Sequence, residues 1–203
     1  MPNYYTIAKM KHSLSDIREL IRDRRTIKPE DFKQRKVLDD QLKEILNSGL
    51  WAPTHGLTEP WHYVVFQEEA LKDLGKFMAD SYKNSVSETE FIQKKYDKFL
   101  NRPSLSSVVI AICMKRQDLE KIPEMEEIEA VACSVQNMHL TATAYGLGGY
   151  WSSGKVSYSE EMKTYLNLRE KDKCLGLFYI GYPNIEWPRS HRKPLEYKTE
   201  WRK

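Results

Sequence analysis

The sequence predicts an α+β layer structure, and three observations predict it. Three runs of strand length, Trp61 to Phe66, Val108 to Cys113 and Leu175 to Gly181, are separated by longer stretches of helical periodicity. One of those stretches, "EMEEIEAVACSVQNMHLTATAYGLGG", is long, apolar on one face and rich in small residues, as a central core helix should be. No internal repeat, low-complexity segment or linker interrupts the 203 residues, so one domain spanning 1–203 is expected.

The elements follow in order. Ser13 to Arg24 reads as a helix with Leu14, Ile17, Leu20 and Ile21 on one face, and Ser13 followed by Asp16 resembles a capping box. Pro29 prevents its continuation. Val37 to Gly49 reads as a second helix, with Leu38, Leu42, Ile45 and Leu46 inward and Gly49 near its end. Trp61 to Phe66 is a strand. Ala70 to about Leu100 is polar and helical, anchored by Phe77, Phe91 and Phe99, with a break or mobile connection at "DSYKNSVSETE". Val108 to Cys113 is continuously apolar, so both of its faces should be covered. The long helix carries Ile128, Val131, Val135, Met138, Ala142 and Tyr145 at helical spacing, with acidic residues at its start, where the helix dipole favours them. Ala130, Ala132, Ser134, Ala142 and Ala144 let other elements approach its backbone. Gly146, Gly148 and Gly149 end it, and "GLGGYWSSGK" then reads as a flexible turn. Ser159 to Leu168 is a capped helix and Leu175 to Gly181 a buried strand. The tail "YPNIEWPRSHRKPLEYKTEWRK" has little periodicity and needs another surface to lie on.

Composition narrows the function classes. With 40% apolar residues and a net charge of only +3, the chain can bury a core but is not driven onto nucleic acid by charge. The basic residues do not interleave with aromatics, which further disfavours a nucleic-acid binder. The N-terminal "MPNYYTIAKMKHS" has no apolar h-region and no small-residue cleavage site, so no signal peptide is expected. Cys113, Cys133 and Cys174 are odd in number and widely spaced. Buried free thiols in a reducing cytoplasm are the expected state, and no metal-ligand spacing is present.

Four stretches could carry chemistry. In "RDRRTIKPE", Arg24, Arg25 and Lys28 place cations beside the Thr26 hydroxyl at a helix exit, a donor set suited to phosphate; a solvated basic helix end is the other reading. In "GLGGYWSSGK", Trp151 sits with Ser152, Ser153 and Gly154. The glycine spacing matches neither a dinucleotide nor a phosphate-loop fingerprint, but an aromatic beside hydroxyls and open amides suits a planar ligand. An ordinary helix end followed by a loop remains the alternative. The loop "LWAPTHGLTEPW" is stiffened by Pro53 and Pro60, turns at Gly56, and holds Thr54 and His55, the latter also readable as a surface histidine. Near the end, "HRKPLEY" supplies Arg192 and Lys193.

Together these pieces resemble the FMN-dependent nitroreductase family. The matching segments are Arg24 to Lys28, Ala52-Pro53 through Pro60-Trp61, Gln136-Asn137 through Gly154, Phe178 through Pro183, and Arg192 to Glu196, in the family's order and across nearly the whole chain. The resemblance implies a nitroreductase-like α+β fold: a small mixed or antiparallel sheet flanked by helices, in a domain-swapped homodimer with FMN at the subunit interface. It implies that Arg24 and Thr26 hold the FMN phosphate and ribityl chain, with Arg25 beside them in the cofactor site. Lys28 would sit by the flavin pyrimidine, where a cation stabilises the anion of the reduced ring. Pro53, Thr54 and His55 would reach the flavin from the second subunit. Trp151, Ser152, Ser153 and Gly154 would line the ring, and Arg192 or Lys193 would complete the phosphate site. The expected activity moves hydride from NAD(P)H through the flavin to a nitroaromatic, quinone or similar acceptor, the flavin carrying the chemistry. A non-catalytic flavin- or nucleotide-binding module is the alternative. Three positions depart from the family pattern: Glu59 and Leu57 stand where many members have Gln and Asn, and His55 is a variant of shorter members.

Overall fold

The computed structural model describes residues 12–203, so most of the N-terminal stretch read above for a leader lies outside the described residues. Helix α1 (Leu14–Asp23) starts where Ser13 Oγ accepts from the Asp16 backbone N–H at 3.4 Å. None of its residues is fully buried: it touches the long helix Glu124–Ala144 and half-buries Leu20, but leaves Leu14, Ile17 and Ile21 exposed. Helix α2 (Asp39–Gly49) begins later than the sequence suggests. Leu38 is its extended N-cap residue and is 61% exposed, not inward; the neighbouring Val37 takes the core position and is fully buried. The reason is that the side chain of an N-cap residue is not yet on the helix face.

The sheet has strand order β1-β2-β4-β3, with β1 Trp61–Phe66, β2 Val108–Met114, β3 Gly148–Ser152 and β4 Lys173–Gly181. Every strand pairing is antiparallel. Strand β2 is interior and buried along its length. Val108, Ile110, Ile112 and Met114 point to a core shared with α2 and helix α5 (Glu124–Ala144), while Val109, Ala111 and Cys113 point to a second core. Two covered faces explain why its sequence is continuously apolar. Each Ile or Val buried there is worth roughly 1.5–3 kcal/mol.

The second core lies under helices α3 (Glu69–Asn84) and α6 (Glu160–Tyr165), with helix α4 (Gln93–Asn101) outside α3. The break expected between α3 and α4 is present. The two helices are nevertheless joined closely: Tyr82 meets Phe91 and Phe99, and a Cβ on Gly75 would lie 2.1 Å from the Leu100 carbonyl oxygen. On the other face the small residues of α5 do what their size suggests. Ser134 Oγ and Tyr63 Oη are hydrogen-bonded beside Gly49, and Asn137 Nδ2 donates to the Ser48 carbonyl at 3.3 Å, so α2 and α5 pack near backbone contact.

Three expectations are corrected here. The stretch read as a flexible turn after α5 contains a real strand, β3, paired with β4 from Gly148↔Gly181 to Ser152↔Leu177. Consecutive glycines read as punctuation, but these are glycines of close approach: a Cβ on Gly149 would lie 2.8 Å from Phe178 and 2.9 Å from His139. The cysteines are also not all buried. Cys113 and Cys174 are, whereas Cys133 is exposed, because α5 turns it away from the sheet. Tyr145, expected on the inner face of α5, is its C-cap and 41% exposed.

After β4 the chain folds back along residues 31–33, through Lys33 N–H to the Tyr182 carbonyl at 2.7 Å and Asn184 N–H to the Asp31 carbonyl at 2.8 Å. The tail therefore does lie on another segment at first. Further on, Leu195, Tyr197 and Trp201 are exposed. Among the described residues no helix is long and apolar enough to cross a membrane.

Candidate functional site

The segment leaving α1 is laid along the sheet rather than into solvent. Thr26 forms a parallel bridge with Gly149, and the Ile27 N–H donates to the Gly149 carbonyl at 3.1 Å. Ile27 is buried between Gly148 and the second core, which fixes the backbone on either side of it. The next turn, Pro29–Asp31, is tied down by Glu30, whose Oε2 lies 3.1 Å from Arg102. The same Arg102 guanidinium sits 4.6 Å over the Tyr150 ring of β3. Residues 24 to 31 and β3 are thus held as one unit.

A residue that sequence reasoning did not single out supports this unit from behind. His139 of α5 is buried, packs edge-on against Phe178 and places Nε2 2.9 Å from the Arg25 carbonyl. A carbonyl only accepts, so Nε2 carries the hydrogen. Burial, and then the Arg24 cation, lower the imidazole pKa to about 4, which keeps it neutral. The sequence held one signal: a histidine four residues after Val135, on the inner face of an apolar helix.

The arginines of this unit divide into two kinds. Arg25 is spent on backbone carbonyls: Nε donates to Pro188 at 2.7 Å, and NH1 to Arg24 at 2.8 Å and to Arg22. Trp187 Nε1 adds a bond to the Asp23 carbonyl at 2.6 Å. Arg25 therefore joins the tail to the helix exit. Arg24 is half-buried and has no hydrogen-bond or ion-pair partner among the described residues. Burial, then Arg192 and Arg25, push its pKa below the ordinary arginine value. Among the described residues Arg192 bonds Ser190 Oγ and the His191 carbonyl, and with Glu19, Arg22, Asp23 and Arg25 it lines a basin of about 650 Å³. Lys28 and Lys193 are exposed and have no ion-pair partner among the described residues.

Trp151 on β3 is 37% exposed, with its indole Nε1 against Gly176, where an added Cβ would come within 2.7 Å. Ser152 closes the strand; Ser153 is exposed and Gly154 half-buried just beyond it.

The remaining predicted residues lie elsewhere. Pro53, Thr54 and His55 line a groove of about 490 Å³ with Glu126, Glu129, Ala130 and Cys133 at the start of α5. His55 Nδ1 is 2.6 Å from Glu126 Oε2, and Thr54 Oγ1 is 3.0 Å from Thr58 Oγ1. Gly56 turns the loop at φ 60°, and Leu57 and Glu59 also take positive φ. Leu57 is 82% exposed and gains no packing in return. His139 and Glu126 are thirteen residues apart on one helix, or ~20 Å at 1.5 Å per residue. One chain therefore does not bring the Arg24 group and the His55 group together.

The donor set fits a phosphorylated planar cofactor. A half-buried guanidinium without a counter-charge among the described residues, beside a second arginine, suits a phosphate. Trp151 and the amides of an edge strand offer a surface for a flat ring.

Comparison with known proteins points the same way. The family model described as "Nitroreductase family" matches residues 21–182. A relative from Escherichia coli K12, provisionally named NAD(P)H nitroreductase YdjA, is 30% identical over 147 residues, covering 72% of this chain and 78% of its own. The crystal structure of a nitroreductase-like family protein from Bacillus cereus superimposes with a TM-score of 0.79 at 26% identity, covering 94% of this chain and 97% of that one. A provisionally named nitroreductase from Desulfovibrio desulfuricans, solved in complex with FMN, gives a TM-score of 0.68 at 22% identity, covering 92% and 96% of the two chains.

Proposed function

The chain belongs to the nitroreductase family, and from that premise we propose that it is a homodimeric, FMN-dependent NAD(P)H oxidoreductase that reduces nitroaromatic, quinone or similar acceptors. The observation that carries the proposal is Arg24, half-buried, without an ion-pair partner among the described residues, and held beside Arg192 and Thr26 at the sheet edge that bears Trp151.

In this reading Arg24 and Arg192 hold the phosphate, and Thr26 adds a hydroxyl donor. Arg25 fixes the backbone beneath them, and Lys193 supplies a further cation nearby. Lys28 places a positive charge at the pyrimidine edge, and Trp151 to Gly154 form the wall beside the ring. FMN, when bound, supplies the hydride-accepting and hydride-donating chemistry. The protein binds and orients the ring, stabilises negative charge with Lys28 and covers the ring from water.

Pairing of two chains is supported by two observations. The Pro53–His55 loop lies ~20 Å along α5 from the Arg24 group, too far to close over the same ring. In addition, Leu14, Ile17 and Ile21 of α1, Trp51 and Leu57 of the loop, and Tyr197 and Trp201 of the tail are all exposed. So much apolar surface is what a subunit interface covers. Sedimentation should give twice the 23.9 kDa chain mass.

The deciding experiment is optical. Purified protein supplied with FMN should be yellow and should bleach on anaerobic addition of NADH or NADPH. Lys28→Met should slow that bleaching ~10²-fold while weakening FMN retention less than ~3-fold. Equal loss of both would indicate a binding module without turnover, and protein that stays colourless with FMN would end the proposal.

A further inference from the structure

Two buried thiols take no part in the site above. Cys113 on β2 and Cys174 on β4 are partners in the strand register, at the point where a bulge falls between Ile112 and Cys113. Both side chains belong to the core under α3 and α6, so they project from the same face of the sheet. Facing residues of antiparallel strands have Cα atoms ~4.5–5.5 Å apart, inside the ~4.4–6.8 Å range a disulfide spans. The strand register thus sets the two thiols face to face on one side of the sheet. Cys174 Sγ donates to the Gly176 carbonyl at 3.7 Å.

Only one of the two reaches a way in. Cys174 borders a cavity of about 560 Å³ lined also by Tyr158, Lys163 and Lys173, whereas Cys113 lies behind it. From this geometry we propose that Cys113 and Cys174 form a peroxide-responsive dithiol, with Cys174 as the attacking sulfur and Cys113 as the resolving one.

The chemistry balances with a hydroperoxide as oxidant. The Cys174 thiolate attacks a peroxide oxygen. An S–O bond forms, the O–O bond breaks, and the departing oxygen takes up a proton, leaving Cys174 as a sulfenic acid. Cys113 sulfur then attacks Cys174 sulfur. The S–S bond forms, the S–O bond breaks, and hydroxide leaves with the Cys113 proton as water. With hydrogen peroxide, two thiols lose two electrons and one peroxide becomes two waters. The neighbouring Cys113 thiol lowers the Cys174 pKa, while Cys174 and then burial raise that of Cys113, the direction the assigned order needs.

The test uses the full chain carrying Cys133→Ser, which removes the exposed thiol. Stoichiometric hydrogen peroxide should lower the intact mass by ~2 Da, and dithiothreitol should restore it. A non-reducing peptide map should join the Cys113 and Cys174 peptides. With Cys113→Ala added, dimedone should trap a sulfenic acid on Cys174; with Cys174→Ala added, Cys113 should stay unlabelled. The proposal is overturned if the parent, still folded by circular dichroism, forms no cross-link with peroxide. Labelling of Cys113 in place of Cys174 would overturn the assignment of roles. The cross-link measurement stands even if a core variant fails to fold.

Discussion

Two arginine-bearing clusters sit toward opposite ends of α5, and they treat charge in opposite ways. At the start of the helix, Arg116 pairs with Glu127, both almost wholly buried, and its backbone N–H donates to Asp172 at 2.9 Å. Arg169 grips Asp172, Asp118 and the Arg116 carbonyl, so the cations here meet carboxylates. Thirteen residues beyond Glu126 on the same helix, His139 backs a cluster in which Arg24 lies beside Arg192 and Arg25 and pairs with no carboxylate among the described residues. Charges that complete a fold are answered from within the chain. In the proposed reading, a charge left unanswered among the described residues is held for a phosphate that arrives from outside. The contrast extends to neighbours in sequence: Glu127 is fully buried on Arg116, while Glu126 is 41% exposed and faces His55.

The sharpest way to break this comparison is at the paired end. Glu127→Ala leaves Arg116 buried without its counter-charge and should destabilise the protein by ~3–5 kcal/mol in urea unfolding, with the Arg116→Met/Glu127→Leu double variant recovering most of the loss. Little loss from the single variant would remove the distinction.

The next largest effect concerns pH. His139 has a folded pKa of about 4 against an ordinary 6.5, so the unfolded chain takes up the proton first as pH falls. Its contribution is complete above about pH 6.5 and is lost as the pH falls to about 4, by at most ~3 kcal/mol. His139→Gln, which keeps a donor toward Arg25, should flatten the dependence of stability on pH across that window.

At the unpaired end, Arg24→Ala should weaken FMN binding ~10–100-fold, measured by flavin fluorescence, through loss of charge-assisted hydrogen bonds worth ~1.5–3 kcal/mol. Riboflavin, which has no phosphate, should bind the variant as well as the parent. Urea stability without flavin should be unchanged or higher; a loss like that of Glu127→Ala would make Arg24 a folding residue. The smallest effect belongs to Glu126→Gln, under ~1 kcal/mol, because its pair with His55 is exposed.

The paired cluster was not legible in the sequence, and the reason is distance along the chain. Arg116 and Asp172 are ordinary surface letters until a fold places them together. Arg24, Thr26 and Lys28 could be seen as a phosphate-suited set because they are near neighbours. Strands β1, β2 and β4 were legible because apolar runs of that length have few alternatives, and α5 because its small residues announced close packing. Strand β3 was not, since Gly148 and Gly149 look like a stop signal; only the Phe178 and His139 rings show why nothing larger fits. Leu38 and Tyr145 were misplaced for one physical reason: at a helix end the facing of a side chain depends on the cap and not on the period.

The contact of Gly75 with Leu100 also bears on handling the molecule. It stitches α3 to α4 backbone to backbone, a second tie beside the bridge at residues 85–92, whose Phe91 packs on Tyr82. A protease nick there should leave two fragments that still travel together through a native gel. A bulky residue at position 75 should part the hairpin while the bridge stays whole.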